Sequence, residues 1–171
     1  MSDYRLSLIA LALLPLVAAC GDDDDPSGPA TSFSATLTGG EEVPAVVTTA
    51  TGNATLDVSG SAITYTVTVA GLANPIVSHI HIAPVGENGP VRLNLCGTTD
   101  TPACGTGDGV LVTGTNGATV GAPAITFDEL VDAMRAGNAY VNVHTDDGIG
   151  QPNTGAGDMQ SGEIRGQIVA D

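Results

Sequence analysis

The chain has 171 residues, with 19 acidic against 4 basic side chains and a formal charge of −15. A surface of that sign makes nucleic acid and anionic lipid poor partners, so no nucleic-acid role is expected, while cations and basic proteins suit it. Abundant Val, Thr, Ala and Gly, with no Trp and no Lys, favour short strands and many turns over helices.

Residues 6–19 form an apolar run with the length and flanks of a signal-peptide core, too short to span a bilayer comfortably. The run ends in Val17-Ala18-Ala19-Cys20-Gly21, which resembles a bacterial lipobox: small residues before a cysteine that takes a diacylglyceryl group and becomes the mature N-terminus. The expectation is a lipoprotein signal peptide over residues 1–19 and lipidation at Cys20. Its acyl chains would anchor the protein to a membrane of the bacterial cell envelope, facing the periplasm or the exterior. An ordinary secretory signal with an incidental Cys20 is the alternative. Residues 20–31, with Asp22-Asp23-Asp24-Asp25 followed by prolines and glycine, bury nothing and read as an acidic flexible tether. A calcium site there is disfavoured, because nothing fixes the carboxylates in a cage.

Residues 32–171 are enough for one domain with a real core. Strands are expected over 33–38, 52–58, 62–69, 77–83, 90–95, 109–113, 139–145 and 162–169, each bounded by Gly, Pro, Asn or Asp. That spacing predicts an all-β fold, an antiparallel β-sandwich or barrel of about eight strands with one short helix. Val58-Ser59-Gly60-Ser61-Ala62 is the best hairpin turn. The helix is expected over residues 127–136, since Thr126 with Glu129 makes a capping box and Gly137 supplies a left-handed stop. Phe127, Leu130, Val131 and Met134 fall on one stripe that must dock on the sheet.

The chain has three histidines. His79 and His81, in Val77-Ser78-His79-Ile80-His81-Ile82, share one face of a strand because side chains alternate with a period of two. His144, in Ala139-Tyr140-Val141-Asn142-Val143-His144, lies on the face opposite Val141 and Val143. Every imidazole therefore leaves the core side of its strand. Cys96 and Cys104 are the thiols that remain beside Cys20, and outside the cytoplasm such a pair is expected to close a disulfide. A cysteine-based metal site is less favoured, because the pair is not CxxC and has no histidine beside it.

Four segments in order, Gly39-Gly40-Glu41-Glu42-Val43-Pro44-Ala45, His79-Ile80-His81-Ile82-Ala83, Ala139-Tyr140-Val141-Asn142-Val143-His144-Thr145 and Gly162-Glu163-Ile164-Arg165-Gly166-Gln167-Ile168, resemble the CHRD domain, named for the animal protein chordin. The resemblance runs from about residue 32 to residue 169. It implies a β-sandwich-like module outside the cytoplasm and no particular biochemical activity. In place of the family's compact Asn-Pro segment this chain has a longer loop, residues 146–161. A fainter similarity links His79-x-His81 with Gly86-Glu87-Asn88, and Val143-His144-Thr145-Asp146-Asp147-Gly148, to the copper-ligand segments of copper/zinc superoxide dismutase. The zinc-loop and bridging histidines of that family have no counterpart, so dismutase chemistry is not implied.

Three neutral imidazoles suit Cu(II) or Zn(II), and His at i and i+2 can converge on one ion if a third comes from a neighbouring strand. His79, His81 and His144 are thus the candidate ligands for copper or zinc. Asn142, Glu163 and Arg165 are expected to surround them, on the same side as His144 if the last strand pairs with 139–145. A Glu163 carboxylate could orient an imidazole N–H. Arg165 opposes a cation unless Glu163, Glu41 or Glu42 neutralises it. The plainer expectations are a polar histidine cluster closing one end of the fold, a Glu163–Arg165 salt bridge, and solvated carboxylates at Glu41 and Glu42. No catalytic motif is visible: there is no Gly-x-Ser-x-Gly elbow, no phosphate loop, and Ser78 points away from His79. The favoured function is therefore a membrane-anchored binding or adhesion module with a protein or polymer partner and no enzymatic activity. The second is a copper- or zinc-binding protein using the three histidines.

Overall fold

A computed structural model describes residues 29–171. The expected leader, Cys20 and most of the acidic tether lie outside the described residues. The strands are β1 (Ser32–Thr38), β2 (Thr51–Ser59), β3 (Ala62–Ala70), β4 (Pro75–Ile82), β5 (Val91–Cys96), β6 (Gly109–Asn116), β7 (Ala139–Thr145), β8 (Ile164–Gln167) and β9 (Val169–Ala170). Among the described residues a single α-helix, α1 (Phe127–Arg135), separates β6 from β7.

Alternation of apolar and polar residues decides which side of each strand faces inward. Phe33, Ala35 and Leu37 in β1, Ala54 and Leu56 in β2, and Ile63, Tyr65, Val67 and Val69 in β3 are all buried, and the residues between them are more exposed. The β2–β3 hairpin turns where the sequence places it, with Ser59 opposite Ala62 and Gly60 at φ +60°, a conformation glycine adopts without a Cβ penalty. The strands form one antiparallel sheet in the order β5-β4-β7-β8-β1-β2-β3-β6, with β9 added beside β1.

That sheet curls until its two ends meet. The chain leaving β6 is stitched to β5 by a bridge between Thr119 and Leu93, by the Val120 N–H donating to the Arg92 carbonyl (2.9 Å), and by Asn116 Nδ2 donating to the Asn94 carbonyl (2.9 Å). Inside, the Tyr65 hydroxyl of β3 donates to the Leu95 carbonyl of β5 at 2.8 Å, so this large buried side chain leaves no unsatisfied polar atom at the seam. The spacing of the strands alone is compatible with a sandwich or a barrel. A continuous sheet with its end strands stitched together is a nearly closed barrel, an arrangement that protects exposed strand edges.

The helix carries the expected capping box: the Thr126 hydroxyl accepts from the Glu129 N–H, and the Glu129 carboxylate accepts from the Thr126 N–H. Gly137 at φ +68° ends it, and Leu130, Val131 and Met134 are buried against the barrel. The expected strand over 162–169 is divided. β8 lies between β7 and β1, and beyond Ile168, which donates its N–H to the Ala139 carbonyl, β9 keeps β1 alone as its partner. Among the described residues no helix is long and apolar enough to cross a membrane.

Cys96 and Cys104 are joined in a disulfide, as expected, with Cα atoms 5.0 Å apart. Cys96 is buried at the end of β5, so the bridge holds the excursion 97–103 to the barrel wall. Replacing Cys104 with alanine should destabilise the protein by about 2–3 kcal/mol, the chain-entropy value for so short a loop. Urea denaturation compares it with the parent under oxidising conditions; an unchanged midpoint would mean that the bridge leaves the unfolded chain no less free.

Candidate metal centre

Strand pairing assembles a polar row on the outer face of the barrel. In the β4–β7 register His79 lies opposite Asn142, His81 opposite Tyr140, and Val77 opposite His144. In the β7–β8 register Asn142 lies opposite Arg165 and Tyr140 opposite Gln167. Residues directly opposite share a face, so one side of three adjacent strands carries His79, His81, His144, Tyr140, Asn142 and Arg165. The intervening Ile80, Val141, Val143 and Ile164 point into the barrel and are fully buried.

This outer face is not open to water along its length, because loops fold over it. Asn88 Nδ2 donates to the Val43 carbonyl (2.6 Å), the Gly89 N–H donates to the Tyr140 hydroxyl (3.2 Å), and Asn142 Nδ2 donates to Glu42 Oε1 (2.7 Å). His81, Asn142 and Arg165 are buried as a result, and His79 and His144 are half-buried.

The three imidazoles form a cluster in which one nitrogen from each lies within 4.8 Å of the other two. Ring centroids are 5.1 Å apart for His79 and His144, 5.6 Å for His79 and His81, and 6.3 Å for His81 and His144. His81 Nδ1 donates to the Gly89 carbonyl (2.9 Å) and His144 Nδ1 donates to the Gln160 carbonyl (2.8 Å). A carbonyl can only accept, so each of these rings carries its proton on Nδ1 and leaves a lone pair on Nε2. Those two Nε2 atoms, and Nδ1 of His79, are buried without a hydrogen-bond partner. Buried nitrogens without partners, the two Nε2 lone pairs and Nδ1 of His79 alike, are costly unless something else satisfies them.

Protonation does not fill them near neutral pH. Burial, reinforced by repulsion from His144 and His81, pushes the His79 imidazole down to about 3. Burial pushes His81 down to about 4 against the opposing effect of its Gly89 hydrogen bond, and burial also lowers His144. The three rings are neutral donors, the form in which imidazole binds a metal.

The surroundings differ from expectation at three places. Glu163 orients no imidazole: its carboxylate accepts from the Thr48 hydroxyl (2.7 Å), the Thr145 hydroxyl (2.7 Å) and the Gly157 N–H (2.7 Å). β8 begins only at Ile164, and Gly162 turns the chain just before it at φ +119°, so Glu163 escapes the alternation that would have aimed it at His144. It forms no salt bridge with Arg165; among the described residues the ion pair is Arg135–Asp132. Glu42 is buried while Glu41 is exposed, so only one of the pair is solvated. Asn142 sits beside His79, as its register requires, but spends its amide on Glu42.

Tyr140 was not among the expected site residues, although it shares the alternation of Asn142 and His144. Its ring stacks on His81 with centroids 4.7 Å apart and planes 8° from parallel, and Arg165 Cζ lies 3.4 Å from its centroid. Gly89 and Gln160 supply carbonyl oxygens, for which no side-chain pattern gives a signal. A Cβ on Gly89 would collide with the Ile82 carbonyl oxygen, so only glycine lets the loop carry its carbonyl to His81. A second acidic group, Asp146, Asp147 and Asp158, lies in the covering loop, where Asp146 and Asp147 accept backbone N–H bonds from Gly148 and Ile149.

The family model of the CHRD domain matches residues 33–168. No curated protein matches the chain.

Glu42 and the histidines give the protein opposing pH responses. Each histidine titrates in the fold below its ordinary value of 6.5, so the unfolded chain binds more protons and stability falls as pH drops below about 6.5. Burial, partly offset by Arg165, pushes Glu42 up from 4.5 to about 7. Its stabilising contribution is therefore present below its unfolded value and is lost as pH rises through about 7. E42Q, which keeps an oxygen for Asn142, should be more stable than the parent near pH 8 by on the order of 3 kcal/mol, with the gain vanishing near pH 4. Urea titrations at both pH values check this; an equal gain at both would assign the effect to packing.

Proposed function

We propose that this chain, which belongs to the CHRD domain family, binds a single copper or zinc ion through the free imidazole nitrogens of His79, His81 and His144. The observation that carries the reading is the convergence of three imidazoles, one nitrogen of each within 4.8 Å of the other two, in a cluster where each ring also has a buried nitrogen without a hydrogen-bond partner. Two of the rings are held in the donor tautomer by backbone carbonyls, the kind of support that metal-binding histidines require. The adhesion reading rests on family membership and the sequence pattern alone. Capture or transfer of an ion, rather than catalysis, is the role this donor set supports. We further propose that the protein works outside the cytoplasm, held by a lipid on Cys20. The lipobox-like segment supports that location, and so does the Cys96–Cys104 disulfide, since such bridges persist in oxidising compartments.

Isothermal titration of the full chain in detergent with Cu(II) and Zn(II) should give one site of micromolar or tighter affinity, absent in H81A. Heat without a histidine-dependent site, or none at all, with these ions and with Cu(I) alike removes the metal reading and leaves the adhesion module.

G89A should weaken the same site by about 10–100-fold, the usual effect of removing a group that orients a metal-binding histidine. Circular dichroism confirms that the variant is folded, and an unchanged affinity would separate the Gly89 carbonyl from the site.

A further inference from the structure

We propose that the three-histidine site prefers the monovalent ion, Cu(I), over Cu(II) and Zn(II), and that the fixed charge of Arg165 contributes to this preference. The inference rests on the metal reading above and names the ion.

The donors bring no charge of their own. Three imidazoles make up the cluster, with no carboxylate or thiolate among them, so an ion entering the site keeps its full charge. Three nitrogens complete a trigonal set for Cu(I), whereas Zn(II) would need a water or another group as its fourth ligand and Cu(II) favours a tetragonal set.

Arg165 adds a permanent cation to this neutral set. It is 1 % exposed and cannot lose its proton in a protein. No carboxylate among the described residues forms an ion pair with it. One guanidinium nitrogen donates to Asn88 Oδ1 (3.3 Å) and another, Nη2, is buried without a partner. The guanidinium is held instead against the Tyr140 ring, at 3.4 Å from its centroid, and that ring is stacked on His81. A single aromatic ring therefore separates the fixed cation from a metal ligand, and a ring screens charge far less than water does.

The acidic residues nearest this charge form no ion pair with it. Glu163 is bonded to Thr48, Thr145 and Gly157, Glu41 is exposed, and Glu42, which gives its Oε1 to Asn142, is pushed by burial up to about 7 against the pull of Arg165, so it offsets the guanidinium only in part near neutral pH. Repulsion from Arg165 scales with the charge of the bound ion, so a divalent ion meets twice the penalty of a monovalent one.

Anaerobic titration of the full chain with Cu(I), against a chromophoric Cu(I) chelator, is run beside Cu(II) and Zn(II), and voltammetry gives the potential of the bound copper. The expected potential lies above that of aqueous copper, which is thermodynamically the same as Cu(I) being held more tightly than Cu(II), and excess Zn(II) should not displace Cu(I). A potential below the aqueous couple, or displacement by Zn(II), overturns the preference while leaving the metal site standing. Failure of all three ions to bind removes the site itself and this inference with it. R165M should improve divalent binding relative to Cu(I) roughly tenfold, lowering the potential by about 59 mV, whereas R165K should retain the parent value. An unchanged potential in folded R165M excludes the assigned role of Arg165. If R165M does not fold, the potential of the parent protein decides the preference alone.

Discussion

The pairing of β4 with β7, and of β7 with β8, sets the face of every residue in the region that matters. With His79 opposite Asn142 and Asn142 opposite Arg165, the polar side chains of three strands line up outside the barrel, and Ile80, Val141 and Ile164 line up within. A slip of one residue in either pairing would turn histidines and arginine into the apolar interior and expose the aliphatics. The penalty for such an exchange is large, so the same hydrophobic burial that forms the core also gathers the imidazoles.

Gathering alone would leave a solvated histidine patch. The loops around residues 42 and 89 and the long loop 146–161 change its chemistry by covering it, and their anchors are polar. Glu42 holds Asn142, Gly89 holds His81 and Tyr140, and Gln160 holds His144. Burial under these loops keeps the imidazoles neutral, and the carbonyls of Gly89 and Gln160 select which nitrogen stays free. An outward-facing row thereby acquires the low dielectric of an interior without taking space from the core.

Buried polarity of this density must be satisfied locally. Glu163 accepts three hydrogen bonds, and Arg165 lies against the Tyr140 ring, a desolvated cation–π contact that offsets about 2 kcal/mol of its burial cost. Because Tyr140 also stacks on His81, the group that stabilises the arginine fixes the plane of the histidine. One nitrogen of each histidine in the cluster remains without a protein partner, which distinguishes it from the Glu163 network a few residues away.

By itself the sequence determined what depends on local periodicity and local caps. The Thr126–Glu129 capping box and Gly137 bound the helix, the turn at Gly60 sets the β2–β3 hairpin, and alternation placed His79, His81 and His144 away from the aliphatic side. Tyr140 was legible by the same alternation, though its partners were not. Only the tertiary structure decided between sandwich and barrel, since closure depends on contacts between β5 and the chain after β6, which no local pattern encodes. It also decided the burial of Glu42, the turning of Glu163 toward Thr145, and the choice of Gly89 and Gln160 as carbonyl partners. These positions lie in loops or at a glycine turn, where side chains follow no period and the backbone path is set by what the loop packs against.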